Sequence, residues 1–409
     1  MHGLRPIRSL LATALVLVGL AAAPAAAQAH ASPTGQTPPT AERVCSQPAD
    51  PLQAACGAMI RTDVKPLTSL RPGATPAGLS PLDISRAYNL SGRHGDGRTV
   101  AITVAFHHPN LESDLAVYRR QFHLPPCTTA SGCLRVINQR GGTTLPAAVA
   151  PSWSLEEALD VDAVSAACPD CRILVVETDD NYLSNLLAGV DQAVAQGAKF
   201  VSNSWLLREV PFETAFDFHF SRNPGVVFAF ASGDAGGVPV YPSSSPYVTS
   251  VGGTSLLPAH NQRGFVESAW RGTGCGCSAF EPKPAFQHDS ICPNSRTTAD
   301  ASAVADPATG LAVYTTTPAL GWAVVGGTSL STPLMAGMYA LAGKPAPGTF
   351  PNTYPYAHPQ DFHDITTGMA GAFSAVPGYD APTGIGTPDG VRGLQDPIGR
   401  WNSTAGASS

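Results

Sequence analysis

Apolar and polar positions along the chain alternate between two periods. Short runs rich in β-branched and aromatic residues occur at "TVAITVAF" (99–106), "RILVVET" (172–178), "KFVSNSW" (199–205) and "GVVFAFAS" (225–232), and each reads as a strand. Between them, "LESDLAVYRRQF", "SLEEALDVDAVSAA" and "YLSNLLAGVDQAVAQG" carry the spacing of helices. Strand and helix alternating in this way predict an α/β fold with a mostly parallel central sheet and helices on both faces. In such sheets functional groups gather beyond the carboxyl ends of the strands. From about residue 235 Pro and Gly become frequent, and helical patterns disappear until the apolar run after Ser329. That stretch is expected to be loop-rich.

The ends of the chain depart from this pattern. Arg5 and Arg8 precede an apolar run over residues 10–22 that leads into "APAAAQAHA", the pattern of a secretory signal peptide over residues 1–29, cleaved after Ala27 or Ala29. Residues 30–80 are rich in Pro, Ala and Thr with little periodicity, and form a short leader or linker. A single α/β domain is expected over 81–395, followed by a flexible tail at 396–409. Export permits disulfides, and eight of the nine cysteines fall into close pairs: Cys45 with Cys56, Cys127 with Cys133, Cys168 with Cys171, and Cys277 with Cys292. Cys275 is left over. With 43% hydrophobic and 13% charged residues the chain can bury a large core. A net charge of −6 with no basic patch argues against a nucleic-acid partner. No apolar run after the signal is long enough to span a bilayer, so a secreted, extracellular monomer without a membrane partner is expected.

Candidate chemistry centres on "VVGGTSLSTPLMAGMY" (324–339). A glycine turn, Ser329 and a following helix would put the serine at a helix N-terminus, where free N–H groups can hold developing negative charge. The competing assignment is a plain helix cap by Ser329 or Ser331. A nucleophilic serine needs a base, and none of the eleven histidines has a suitable context: His107 and His108 are adjacent on extended chain and point apart, and His94 lies in a surface turn. In "WSLEEALDVD", Glu156 and Asp160 are four residues apart and share a helical face. Two carboxyl groups in contact share a proton, and such a pair can act as a base in acid. Ser154 and Glu157 fit a capping box, which assigns Glu157 to the helix start; Asp162 lies nearly opposite Asp160. Asp234 follows an apolar strand in "AFASGDAGG", and a protonated carboxyl there could donate to an oxyanion.

These segments together resemble the sedolisins, serine-carboxyl peptidases of subtilisin-like fold that work in acid. Glu-x-x-x-Asp matches Glu156 and Asp160, Gly-Asp-x-Gly matches Asp234, and Gly-Thr-Ser-x-x-x-Pro matches Ser329 with Pro333. The resemblance implies an acid-active endopeptidase acting on proteins or peptides, with Ser329 as nucleophile, Glu156 as base, Asp160 orienting it and Asp234 stabilising the oxyanion. It also implies that Asn203, Ser204 and Trp205 border the substrate cleft. "FHDITTG" and "VPGYDAPTGIGTP" resemble the family's calcium loop, with Asp364, Asp380 and the carbonyls of Ile365, Val376 and Gly378 as oxygen ligands for a structural Ca2+. Two features depart from the family: Val376 stands where glycine is usual, and the leader is too short for the usual prodomain. Such a leader either is dispensable for folding or blocks the cleft. The alternative function is an exported binding protein that keeps the fold without turnover.

Overall fold

The computed structural model describes Met1 and residues 39–71 and 73–397. The predicted signal segment beyond Met1, and the tail after residue 397, lie outside the described residues. Among the described residues the central feature is an eight-stranded sheet. Its order is Phe265–Ala269, Thr249–Pro258, Val227–Ala231, Phe200–Asn203, Thr99–Ala105, Arg172–Thr178 and Leu134–Asn138, with Ala301–Val304 also paired to Thr249–Pro258. Every pairing is parallel except that of Thr249–Pro258 with Phe265–Ala269. The middle strands are buried along nearly their whole length, which is why they read as continuous apolar runs rather than as alternations.

Two helices carry the site. Pro151–Ala167 begins with proline at its first position, where the fixed φ suits a helix and the missing N–H costs nothing. This start corrects the expected capping box. Ser154 lies inside the helix, its N–H bonded to the Ala150 carbonyl, and Glu157 is buried a turn further on. The second helix, Thr328–Ala342, starts after Gly327, whose φ of 91° favours glycine. The two helices pack against each other, and Thr328–Ala342 also packs on the strands Val227–Ala231 and Phe200–Asn203. Both are enclosed by protein rather than amphipathic: residues 153–167 of the first and 328–341 of the second are buried.

The stretch expected to be loop-rich is instead strand-rich. Between residues 249 and 326 it holds seven strands, including Gly276–Pro282, Ser295–Thr298, Leu311–Thr315 and Gly321–Gly326. Glycines and prolines there sit within or beside the ladders, as in "TSVGGTSLLP", so composition masked the pairing. The leader is likewise built into the domain. Ala41–Arg43, Met59–Arg61, Gly321–Gly326 and Leu311–Thr315 form an antiparallel sheet in that order, and Ala55–Cys56 pairs with Trp205–Leu206. All four cysteine pairs are disulfides, and Cys275 is a buried free thiol. No helix among the described residues is long and apolar enough to cross a membrane.

Candidate active site

Ser329 is the second residue of its helix, and Gly327 occupies the cap position. The Ser329 hydroxyl caps nothing: it donates to the Ser204 carbonyl at 3.1 Å. Ser331 and Thr332 turn back onto the Thr328 carbonyl at 3.0 and 2.7 Å. Pro333 has a definite part in this arrangement. In a regular helix the N–H of residue 333 would bond to the carbonyl of residue 329, and proline has none. The freed Ser329 carbonyl accepts instead from Ser204 Oγ at 3.3 Å.

Ser204 Oγ also lies 2.6 Å from Asp160 Oδ1, so this one side chain ties the Glu156 helix to the Ser329 helix. Glu156 and Asp160 are 1% and 0% exposed. Neither Glu156 oxygen, nor Asp160 Oδ2, has a hydrogen-bond donor. Burial, and then the adjacent Asp160 charge, hold the Glu156 carboxyl well above the usual carboxylate range, while the nearby Ser329 hydroxyl and Ala58 amide ease its ionisation. Burial also raises Asp160, with the Ser204 bond opposing it. Asp162 faces away, accepting from the Tyr314 N–H at 3.1 Å.

Asp234 completes the group. Its Oδ1 accepts from the Thr328 N–H at 2.7 Å, and the Thr328 hydroxyl is 3.2 Å away. Its Oδ2 is buried with no partner. Burial raises this carboxyl to about 7, against the opposing pull of Thr328 and Arg43. Below that pH Oδ2 carries a proton that it can donate. The structure therefore brings Ser329, Glu156, Asp160 and Asp234 to one place. Of the three residues expected along the cleft, Ser204 presents its carbonyl. Asn203 turns inward, its Oδ1 accepting from Thr103 at 2.5 Å, and Trp205 buries its ring against Phe230 and donates to Thr103 at 3.0 Å. Trp205 meets the leader only through its main chain, opposite Cys56, and Asn203 is held within the sheet. His107 and His108 are engaged elsewhere, with Glu177 at 2.8 Å and Thr315 at 3.2 Å.

The leader crosses this site. The Gly57 N–H donates to the Ser204 carbonyl at 3.2 Å, and its carbonyl accepts from the Ser329 N–H at 3.4 Å. A Cβ on Gly57 would stand 2.7 Å from Asp234 Oδ2 and 3.1 Å from Ser329 Oγ. Arg43, also from the leader, hydrogen-bonds the Asp234 carbonyl. Sequence reasoning did not find Gly57. The small-residue run "AACGA", which contains the disulfide cysteine Cys56 and leads into the strand Met59–Arg61, was the available signal.

In the expected calcium loop, the Asp380 oxygens accept from Thr383 and from the Val376 N–H at 3.0 Å, and Asp364 accepts from the Gly378 N–H at 2.9 Å. Burial, with the Asp364 charge adding to it, raises Asp380 to about 6. Among the described residues no cluster of three or more His, Cys, Asp or Glu is placed to hold a metal. A cation here would therefore rest on two carboxylates and main-chain carbonyls, a donor set suited to a hard ion.

A mostly parallel α/β sheet, with a serine on a buried helix and three carboxyl groups around it, defines a subtilisin-like scaffold. The model of the subtilase family matches residues 142–360, and the chain belongs to that family, in its sedolisin branch. It is 30% identical over 365 residues to kumamolisin from Bacillus sp. (strain MN-32), covering 79% of this chain and 64% of that protein. It is 30% identical over 207 residues to tripeptidyl-peptidase 1 from Homo sapiens, covering 40% of this chain and 36% of that one. The chain thus spans less than two thirds of the length of these relatives. A solved structure of Pseudomonas sedolisin, a serine-carboxyl proteinase complexed with two molecules of pseudo-iodotyrostatin, superposes with a TM-score of 0.69 at 23% identity. That match covers 81% of this chain and 100% of the other.

Proposed function

We propose that this chain is a secreted, acid-active serine-carboxyl endopeptidase. The observation that carries the reading is the convergence of Ser329 with three buried carboxyl groups that have unpartnered oxygens. Ser329 Oγ attacks the peptide carbonyl carbon while Glu156, backed by Asp160, takes its proton. The Ser329 N–H and the protonated Asp234 hold the oxyanion. The carbon–nitrogen bond breaks as Glu156 passes the proton to the leaving amine, and water then hydrolyses the acyl-enzyme through the same groups. The hydroxyl must first turn from the Ser204 carbonyl toward Glu156. Because the leader fills the cleft, the described form is latent, and an incoming peptide has to displace residues 54–58. Asp364 and Asp380, with the carbonyls of Ile365, Val376 and Gly378, would hold a structural calcium ion away from the reaction.

The test is hydrolysis of a denatured protein between pH 3 and 8, run beside Ser329→Ala. Cleavage that peaks in acid and is lost by a factor on the order of 10⁶ in the variant supports the reading. A folded protein whose residues 54–58 have been cleared from the cleft and which still cleaves nothing at any pH would refute it in favour of a binding role.

A further inference from the structure

The leader lies in the cleft as an extended peptide held on both sides. Cys56 and Ala55 face Trp205 and Leu206 in antiparallel register. On the other side Gln53 faces Tyr182, the Ala54 N–H donates to the Asn181 carbonyl at 2.8 Å, and Asn181 Nδ2 returns a bond to the Ala54 carbonyl at 2.7 Å. Peptides that add to sheet edges gain affinity from such main-chain bonds and selectivity from the pockets that receive alternate side chains. Gly57 ends the run, with its N–H on Ser204 and its carbonyl on the Ser329 N–H. Its carbonyl oxygen meets one of the two groups assigned to the oxyanion, the Ser329 N–H.

The fit at that position is steric. A methyl group there would press on Asp234 Oδ2 at 2.7 Å and on Ser329 Oγ at 3.1 Å, with Leu206 Cδ2 at 3.4 Å. The first two belong to the reacting groups and the first is closer than side-chain atoms approach, so neither can yield without loss of the site. Side chains on extended chain alternate, so Ala55 shares the face of Gly57, and it is 1% exposed. Cys56 between them points the other way, to Cys45 of the leader itself. An incoming peptide brings no such neighbour, so that position has room.

From this imprint we propose that the substrates are peptides rich in small residues, cut on the carboxyl side of glycine with a small residue two positions earlier and free choice between. The inference rests on the peptidase reading and adds the substrate class to it. It also makes Gly57 the residue that seats the leader: any larger side chain at 57 loses the seat and frees the cleft.

The test is a digest of a complex peptide mixture at acid pH by the full chain and by Gly57→Val, with Ser329→Ala as the blank, followed by mass spectrometry of the new C-termini. The expected products end in glycine preceded two residues earlier by Ala, Ser or Gly. Replacing that glycine by Phe in a synthetic Ala-Ala-Ser-Gly-Ala-Met peptide should slow cleavage by about 100-fold or more. Gly57→Val should raise the initial rate over the parent chain. Products ending equally in aromatic or long residues would overturn the substrate class while leaving the peptidase reading intact. An absence of any Ser329-dependent product would overturn the peptidase reading itself.

Discussion

Asp234 shows how one side chain can set a pH limit. One oxygen is fixed by the Thr328 N–H, and the other is buried without a partner beside the Gly57 seat. As the pH rises through about 7, that oxygen loses its proton, and on the proposed mechanism a donor to the oxyanion becomes a negative charge facing it. Asp234→Asn retains a donor at all pH values but replaces an acid by an amide. It is expected to lower kcat by roughly 10²-fold and to flatten the alkaline limb of the pH profile, with little change in KM, as measured by initial rates between pH 3 and 9. An unchanged alkaline limb would remove Asp234 from the oxyanion site. At this scale the sequence was informative where spacing has a geometric meaning. Glu156 and Asp160 share a helical face because they are four apart, and Asp162 does point elsewhere. Asn203 and Trp205 illustrate the limit: which way a side chain turns at a strand end depends on partners such as Thr103, a hundred residues away in sequence.

Elements were legible to the degree that they were locally periodic. Four strands of the parallel sheet were visible as apolar runs; Leu134–Asn138, whose five residues alternate too weakly to stand out, and the glycine-bearing Thr249–Pro258 and short Ala301–Val304 were not. The strands between residues 249 and 326, most of them antiparallel, were not visible, because their pairing is decided by distant partners and their glycines read as turns. The leader was hidden for the same reason: Ala55–Cys56 is a strand only because Trp205–Leu206 lies beside it. The loop joining Asp364 to Asp380 is a local element with a separable prediction. Burial, and after it the neighbouring Asp364 charge, disfavour the ionised Asp380, and a divalent cation would offset both. Millimolar Ca2+ is expected to raise Tm by several degrees, by the linkage of binding to folding, and Asp380→Asn should abolish the increment in a calorimetric scan. An equal increment in the variant would place the ion elsewhere.

At the scale of the molecule the carboxyl groups set the pH range of stability. Beyond the site, burial raises Asp217 to about 6, Glu213 to about 8 and Glu281 to about 9, with neighbouring acidic side chains adding to the last two. A carboxyl whose folded value is raised favours the folded state at low pH, and its contribution is lost as the pH rises through that value. His108, lowered to about 4 by burial, acts in the opposite direction, weakening the fold as the pH falls from 6.5 toward 4. The acidic groups outnumber it, so Tm is expected to be higher at pH 5 than at pH 8, by about 5 °C or more. A scan in which Tm rises between those values would contradict the burial of these groups.

Thr328–Ala342 has one more consequence for the whole molecule. The helix that bears Ser329 has no solvent face over residues 328–341 and touches both the sheet and the Pro151–Ala167 helix. Nothing peripheral carries the proposed nucleophile, so it cannot be shaken loose by local fraying of the kind that opens loops and termini. Its main-chain amides should exchange with solvent hydrogen only when the domain itself opens, so thermal inactivation and global unfolding become a single event.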